Sequence, residues 1–231
     1  MYIDVINRVK KTNLPVSRWL QPLFEAVVNA IHAIEDRNDT QQGRITIRIK
    51  REISSQVNEL PLIKSIIIED NGVGFTDENF RSFERWDSSL KMDRGCKGTG
   101  RFCWLVAFES VRISSIYLDS SKYKKRTFEF KRTEDGIENF KDEALQDGEK
   151  KSRKTTIELR NLQSKYNTKS GKYDTERIAE QIIQYCLIYF IGDRCPIIEI
   201  HDIDNRQIIV NDLFKLLTKE QTENFNFKIE G

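Results

Sequence analysis

Residues 66 to 75, IIIEDNGVGF, run an apolar stretch directly into an acid and two closely spaced glycines. A strand that buries Ile66, Ile67 and Ile68 and ends at Asp70 faces a penalty, because a carboxylate is costly to remove from water unless it meets a partner. Gly72 and Gly74 remove side chains beside that carboxylate and permit positive φ, so a flat ligand can approach the backbone there. The same D-x-G-x-G pattern also suits an ordinary turn, in which Gly and Asp predominate, and from these ten residues both readings stand.

The neighbouring segments set the fold class. IKSIIIED (63–70) is a continuous apolar run that predicts a central strand, and RITIRIK (44–50) alternates as a half-buried one does. Leu20, Leu23, Phe24, Val27, Val28, Ile31 and Ile34 recur at intervals of three and four and predict an amphipathic helix, with Pro22 in its first turn. Thr76 can cap a short helix through DENFRSFERW, followed by a polar, mobile stretch up to Arg94. GTGRFCWLVAFE (98–109) reads as a helix opened by glycines. Strands are expected at about 110–118, 124–131 and 154–160, with a charged loop between the last two. A second strong helix is expected from about Thr175 to Ile191, and CPIIEIHDIDNRQIIVND has the form of a hairpin around Asp204 and Asn205. This order favours a two-layer α/β sandwich, with a mixed β-sheet and helices on one face, over a doubly wound parallel sheet.

Composition narrows the function classes. The 231 residues suit one large domain, or one domain and the start of another. With 38 Lys and Arg against 36 Asp and Glu, no dominant charge argues for nucleic acid or membrane as a general partner. The basic runs at Lys122 to Lys125 and Lys150 to Lys154 read as a solvated strand end or loop. Cys96, Cys103, Cys186 and Cys195 form no C-x-x-C pair, and His32 and His201 are the only histidines, so a structural zinc site has no support. Reduced thiols, the lack of a basic-then-apolar leader and the lack of an apolar run of roughly 18 residues point to a cytoplasmic chain.

Three patches could meet at one ligand. On a helical wheel Asn29, His32 and Asp36 fall within about 40° of Glu25, forming a polar stripe that could equally be a solvated face. The turn at 70–74 is the second patch. The third is GCKGTGRF (95–102), where Gly95, Gly98 and Gly100 precede a helix whose free N–H groups and dipole favour a phosphate. It has neither the GxxxxGK[ST] spacing of a P-loop nor the GxGxxG spacing of a dinucleotide fold, so a different phosphate-binding fold is required.

Taken together, these patches resemble the GHKL ATPases, the group of DNA gyrase B, the ninety-kilodalton heat-shock chaperone, MutL and the sensor histidine kinases. EAVVNAIHA resembles the family's E-x-x-x-N helix motif, DNGVGF its D-x-G-x-G motif, GCKGTG its G-x-x-G-x-G loop and KTTIEL its terminal Thr motif. The four occur in the family's order across residues 25 to 159. The resemblance implies a Bergerat fold that binds ATP with Mg²⁺. In that frame Asp70 accepts the exocyclic amine of adenine, with Gly72, Gly74 and Phe75 beside the base and Thr155 in support. Asn29 is the Mg²⁺ ligand, Gly98, Thr99 and Gly100 cradle the phosphates, Arg101 is a further nucleotide-binding residue, and Lys97 adds a point charge. Residues 76 to 95 become the ATP lid. Glu25 matches the general base of the hydrolysing members, which favours an ATPase over a phosphotransferase.

Two positions depart from the family pattern. His32 stands where many members have Asp, and its expected role is a packed or exposed histidine rather than a metal ligand. Lys154 stands where the Thr motif usually has Gly. The resemblance further implies lid closure on Mg-ATP, ATP-dependent homodimerisation, slow hydrolysis and a following transducer domain. Residues 1–209 form the expected ATP-binding domain, and 210–231 its end or the start of that transducer. A histidine-kinase-like phosphotransfer domain and a non-hydrolysing, nucleotide-regulated binding module remain the alternatives.

Overall fold

A computed structural model describes residues 4–37, 42–53, 60–84, 100–145, 148, 150–192 and 194–226. Their strands form one mixed sheet in the order β5-β4-β3-β6-β2-β1-β7-β8. The strands span Arg44–Arg51 (β1), Ile63–Asp70 (β2), Phe108–Asp119 (β3), Lys122–Phe130 (β4), Ile137–Ala144 (β5), Lys154–Leu162 (β6), Ile197–His201 (β7) and Gln207–Ile209 (β8). Only the β1–β7 pairing in this set is parallel.

The period of two decides which face is buried. Ile47 and Ile68, Ile157 and Ile113, and then Phe128 are cross-strand neighbours in that order, and all are buried. Against this face pack the helices α2 (Gln21–Glu35) and α4 (Gly100–Ala107), whose residues Leu23, Val27, Ile31, Phe102 and Leu105 are buried in the same core. The opposite face carries Glu129, Lys131, Glu158 and Arg160, paired with one another at 2.7 to 3.2 Å. The result is a two-layer mixed α/β sandwich, as the alternation predicts.

Local chemistry sets the helix starts. In α2, Pro22 occupies the first turn, where its missing N–H costs no helical bond. The Trp104 indole N–H donates to the Pro22 carbonyl at 3.0 Å, fixing α4 against the start of α2. Residues Val5–Lys11 form α1, capped by Asp4, whose carboxylate accepts from the Asn7 N–H. Asp174 caps α6 (Thr175–Tyr185) in the same way, through the Arg177 N–H.

The structure corrects three expectations from sequence. The charged loop before β6 contains the edge strand β5, exposed over most of its length, so no one-sided apolar pattern marked it. The helix expected from Thr175 to Ile191 is two helices, α6 and α7 (Leu187–Ile191), parted at the fully buried Cys186. LIYFI is apolar on all sides, and the break lets Phe190 enter the core while Ile188 and Ile191 stay about 70% exposed. The helix expected over 98–109 is shorter, because Phe108 and Glu109 already belong to β3.

Past α3 (Asp77–Glu84) and α5 (Ser164–Ser170), the last described element is α8 (Val210–Asn226), whose Phe214 ring centre lies 5.1 Å from that of Phe190. Among the described residues no helix is long and apolar enough to cross a membrane.

Candidate functional site

The face of α2 that carries the polar stripe is also the line along which two glycine segments reach it. Glu25, Asn29 and Ala33 succeed one another at intervals of four, on one side of the helix. A Cβ added at Gly100 would lie 2.5 Å from the Glu25 carboxyl carbon, and one added at Gly72 would lie 2.6 Å from the Ala33 carbonyl carbon. At Gly72 the clash is with backbone and requires glycine, whereas at Gly100 a side chain would displace the Glu25 carboxylate; the Val73 N–H fixes the Gly72 approach by donating to the Ala33 carbonyl at 2.9 Å. Eight residues of helix separate the two contacts by about 12 Å. Asn29 stands exposed midway between them.

At the first contact, Glu25 is held by two donors. Its Oε1 accepts from the Gln21 amide at 2.8 Å and from the Tyr185 hydroxyl at 3.2 Å, and the Gln21 amide also donates to that hydroxyl. The Tyr185 ring stacks on Phe24 at 4.7 Å. Burial, and then the charge of Glu25, push the Tyr185 hydroxyl up to about 12, so it remains a donor near neutrality. The same two causes, in the same order, raise the Cys103 thiol. Glu25 is thus oriented through one oxygen by two neutral donors. A cavity of about 390 Å³, walled by Trp19, Phe24 and Tyr173, adjoins this site through Gln21 and Tyr185.

His32, one turn beyond Asn29, is 1% exposed and bonds through Nε2 to the Tyr189 hydroxyl at 2.7 Å. Of the packed or exposed histidine expected from sequence, the structure shows the packed form. No group of three or more His, Cys, Asp or Glu among the described residues could hold a metal ion.

At the second contact, Asp70 closes a polar row that crosses the sheet. Asp142, Arg126, Ser115, Thr155 and Asp70 are successive cross-strand neighbours on β5, β4, β3, β6 and β2. They share the face of the apolar core and terminate it at one end. Asp70 is 5% exposed, and its Oδ1 accepts the Gly72 N–H at 2.8 Å. An ionised carboxylate has about four acceptor positions, so such a group can also accept a hydrogen bond from a ligand amine. The Ser115 hydroxyl lies 3.0 Å from the Thr155 hydroxyl and accepts the Phe75 N–H at 2.9 Å.

Gly74 adopts φ +80°, and a Cβ there would lie 2.7 Å from the Ser115 hydroxyl oxygen. Gly74→Ala therefore combines backbone strain with a collision. We expect it to cost about 1–3 kcal/mol of stability, read as a lowered urea midpoint; an unchanged midpoint would mean that the turn relaxes freely.

Several predicted ligands are placed differently from the others. The Phe75 ring packs edge-on against Phe83 and Phe128. Arg101 is buried with its guanidinium 5.1 Å from the Phe83 ring centre and 5.0 Å from that of Phe102, and burial lowers its pKa to about 10. It is part of an aromatic cluster, whereas Gly100, at the start of α4, meets Glu25 of α2, one turn before Asn29. Lys154 bonds to Glu69 at 2.7 Å, while its neighbour Thr155 faces the buried side, so the lysine leaves that row open. Lys97, Gly98 and Thr99 lie outside the described residues, as do lid positions 85–95.

The sequence reading passed over Gln21, Tyr185, Ser115, Arg126 and Asp142. A signal existed for Ser115 and Arg126, since each occupies the buried phase of its strand, next to Ile113 and Phe128 respectively. No comparable local pattern marks Gln21 and Tyr185, which meet across 164 positions. Compared with models of known protein families the chain matches none, and a search of curated proteins found no match either.

Proposed function

We propose that the chain is a GHKL-type ATP-binding domain that hydrolyses ATP slowly and uses the nucleotide to associate with a second copy of itself. The observation that carries this reading is the α2 line, with a glycine segment against each end, a carboxylate at each contact and an exposed Asn between. A slot of that form suits an elongated ligand with an amine at one end and phosphates at the other. Asp70 accepts the adenine amine, and Gly72 and Gly74 let the turn beside it pack closely on Ala33 and Ser115, which fixes the backbone at the base end. Gly100, at the start of α4, turns free N–H groups and the positive end of the helix dipole toward the phosphates.

Asn29 fits an ion that is held jointly with the nucleotide, because it is exposed between the two glycine contacts and no cluster of acids is needed. Its amide oxygen would hold Mg²⁺, which supplies neutralisation of phosphate charge. Glu25 takes a proton from water as the water oxygen bonds to the γ-phosphorus, and the bond from that phosphorus to the ADP oxygen breaks. Gln21 and Tyr185 hold the carboxylate for this step without competing as bases. A cytoplasmic setting suits Cys103, Cys186 and Cys195, which carry no disulfide.

Phosphate release with Mg-ATP and light scattering with a non-hydrolysable ATP analogue test the reading together. The expected results are slow release that rises more steeply than protein concentration, and a doubled mass with the analogue. Absence of phosphate release at every protein concentration, with a constant mass, would contradict it.

A further inference from the structure

We propose that Arg126 is a positioning residue for the base end of this site, locking the exit of the glycine turn and the first turn of α3 against the sheet. The functional consequence rests on the ATP-binding reading; the lock itself does not. Arg126 lies in the buried phase of β4, where Phe128 and Phe130 follow it, and its side chain is 3% exposed. An apolar residue would satisfy that position as packing. The arginine instead accepts a desolvation cost, leaving its Nε without a partner among the described residues, and directs both Nη groups at specific atoms.

Those atoms belong to the turn as well as to the sheet. Nη1 donates to the Phe75 carbonyl at 2.9 Å, while Nη2 donates to Asp77 Oδ1 at 2.6 Å, to the Tyr117 hydroxyl at 2.9 Å and to Asp142 Oδ2 at 2.5 Å. The Phe75 N–H is already held by Ser115. Both backbone polar groups of the residue after Gly74 are therefore fixed by neighbours in the row that ends at Asp70. The guanidinium also lies 4.8 Å from the Phe80 ring centre of α3.

The charges agree with this geometry. Burial opposes the charge on Arg126, but hydrogen bonds to Asp77 and Asp142 outweigh it and raise its pKa. The bond from Arg126 is the leading cause that lowers the Asp77 carboxyl. Asp77 is 60% exposed, so it can be changed without opening the core. Aromatic packing of Phe80 and Phe83 on Phe128 holds α3 near the sheet, and Arg126 adds direction at the carbonyl beside Gly74.

Asp77→Asn, Arg126→Met and Arg126→Lys test the proposal in the full chain, through amide hydrogen exchange and Mg-ATP kinetics. In Asp77→Asn, exchange at residues 75–84 is expected to accelerate several-fold while β1 and β2 keep their protection and the urea midpoint holds. KM for ATP is expected to rise, about tenfold for Arg126→Met, with kcat retained, and Arg126→Lys to recover part of that loss. Unchanged exchange at 75–84 in Asp77→Asn, or a loss of protection spread equally over the sheet, would overturn the lock. If kcat falls with KM unchanged in Arg126→Met and Arg126→Lys recovers nothing, the role is structural only. Should the parent chain fail to bind ATP, the ATP reading falls while the exchange data still decide the lock.

Discussion

Glu25→Gln is expected to lower ATP turnover by about 10²- to 10⁴-fold, the usual contribution of a positioned general base, while Mg-ATP affinity stays within about threefold. The substitution separates chemistry from packing. A glutamine carbonyl can still accept from Gln21 and Tyr185, and the amide has the size of the carboxylate that rests against Gly100. Proton acceptance is what disappears. Single-turnover phosphate release, compared with equilibrium binding, measures the two effects apart. A variant that retained turnover within a few-fold of the parent would remove Glu25 from the role of base.

The largest expected effect on stability lies away from the site. Arg51 and Asp202 have side chains that are 0% and 1% exposed and form a two-point pair, Nε to Oδ1 at 2.8 Å and Nη2 to Oδ2 at 2.7 Å. Arg51 also donates to the Pro61 and Tyr173 carbonyls, and Asp202 accepts from the Thr175 hydroxyl. One ion pair thus ties the end of β1 to the approach to β2, the start of α6 and the β7–β8 hairpin. Asp202→Ala leaves the guanidinium buried without its counter-charge, and such a break costs about 3–5 kcal/mol. Replacing both partners, as Arg51→Met with Asp202→Leu, is expected to cost far less because no charge is then stranded. Urea denaturation of the three chains measures this. An Asp202→Ala cost below about 1 kcal/mol would mean that water reaches Arg51.

These two predictions also mark what the sequence could convey. Asp70 was legible because it ends an apolar run, and Glu25 through its i,i+4 spacing from Asn29 on one polar stripe. The helix α2 and the strands β1 and β2 follow from their periods of 3.6 and two, and the Asp204–Asn205 turn from its residues. The edge strand β5 was not legible, since a strand exposed on both sides has no apolar period to display. Nor was the Arg51–Asp202 pair, whose partners are 151 positions apart. The break at Cys186 escaped for a different reason, because an all-apolar segment does not say which of its sides will be buried.

The site shows the same division. Its glycines and acids stood out by spacing, but the role of each glycine depends on the surface opposite it. Gly100 lets the Glu25 carboxylate rest against it, and Gly72 is required by the backbone at Ala33. Arg101 illustrates the converse, since its place next to Gly100 suggested a phosphate ligand while its guanidinium packs over Phe83 and Phe102.

Calorimetric titration of the chain with Mg-ATP, run beside Asp70→Asn, tests the central claim most directly. The amide keeps an acceptor for the Gly72 N–H and removes the charge that receives the adenine amine. Saturable binding by the parent and its loss in Asp70→Asn is the predicted result. Equal affinity in the two chains, or no heat of binding in the parent, would contradict it.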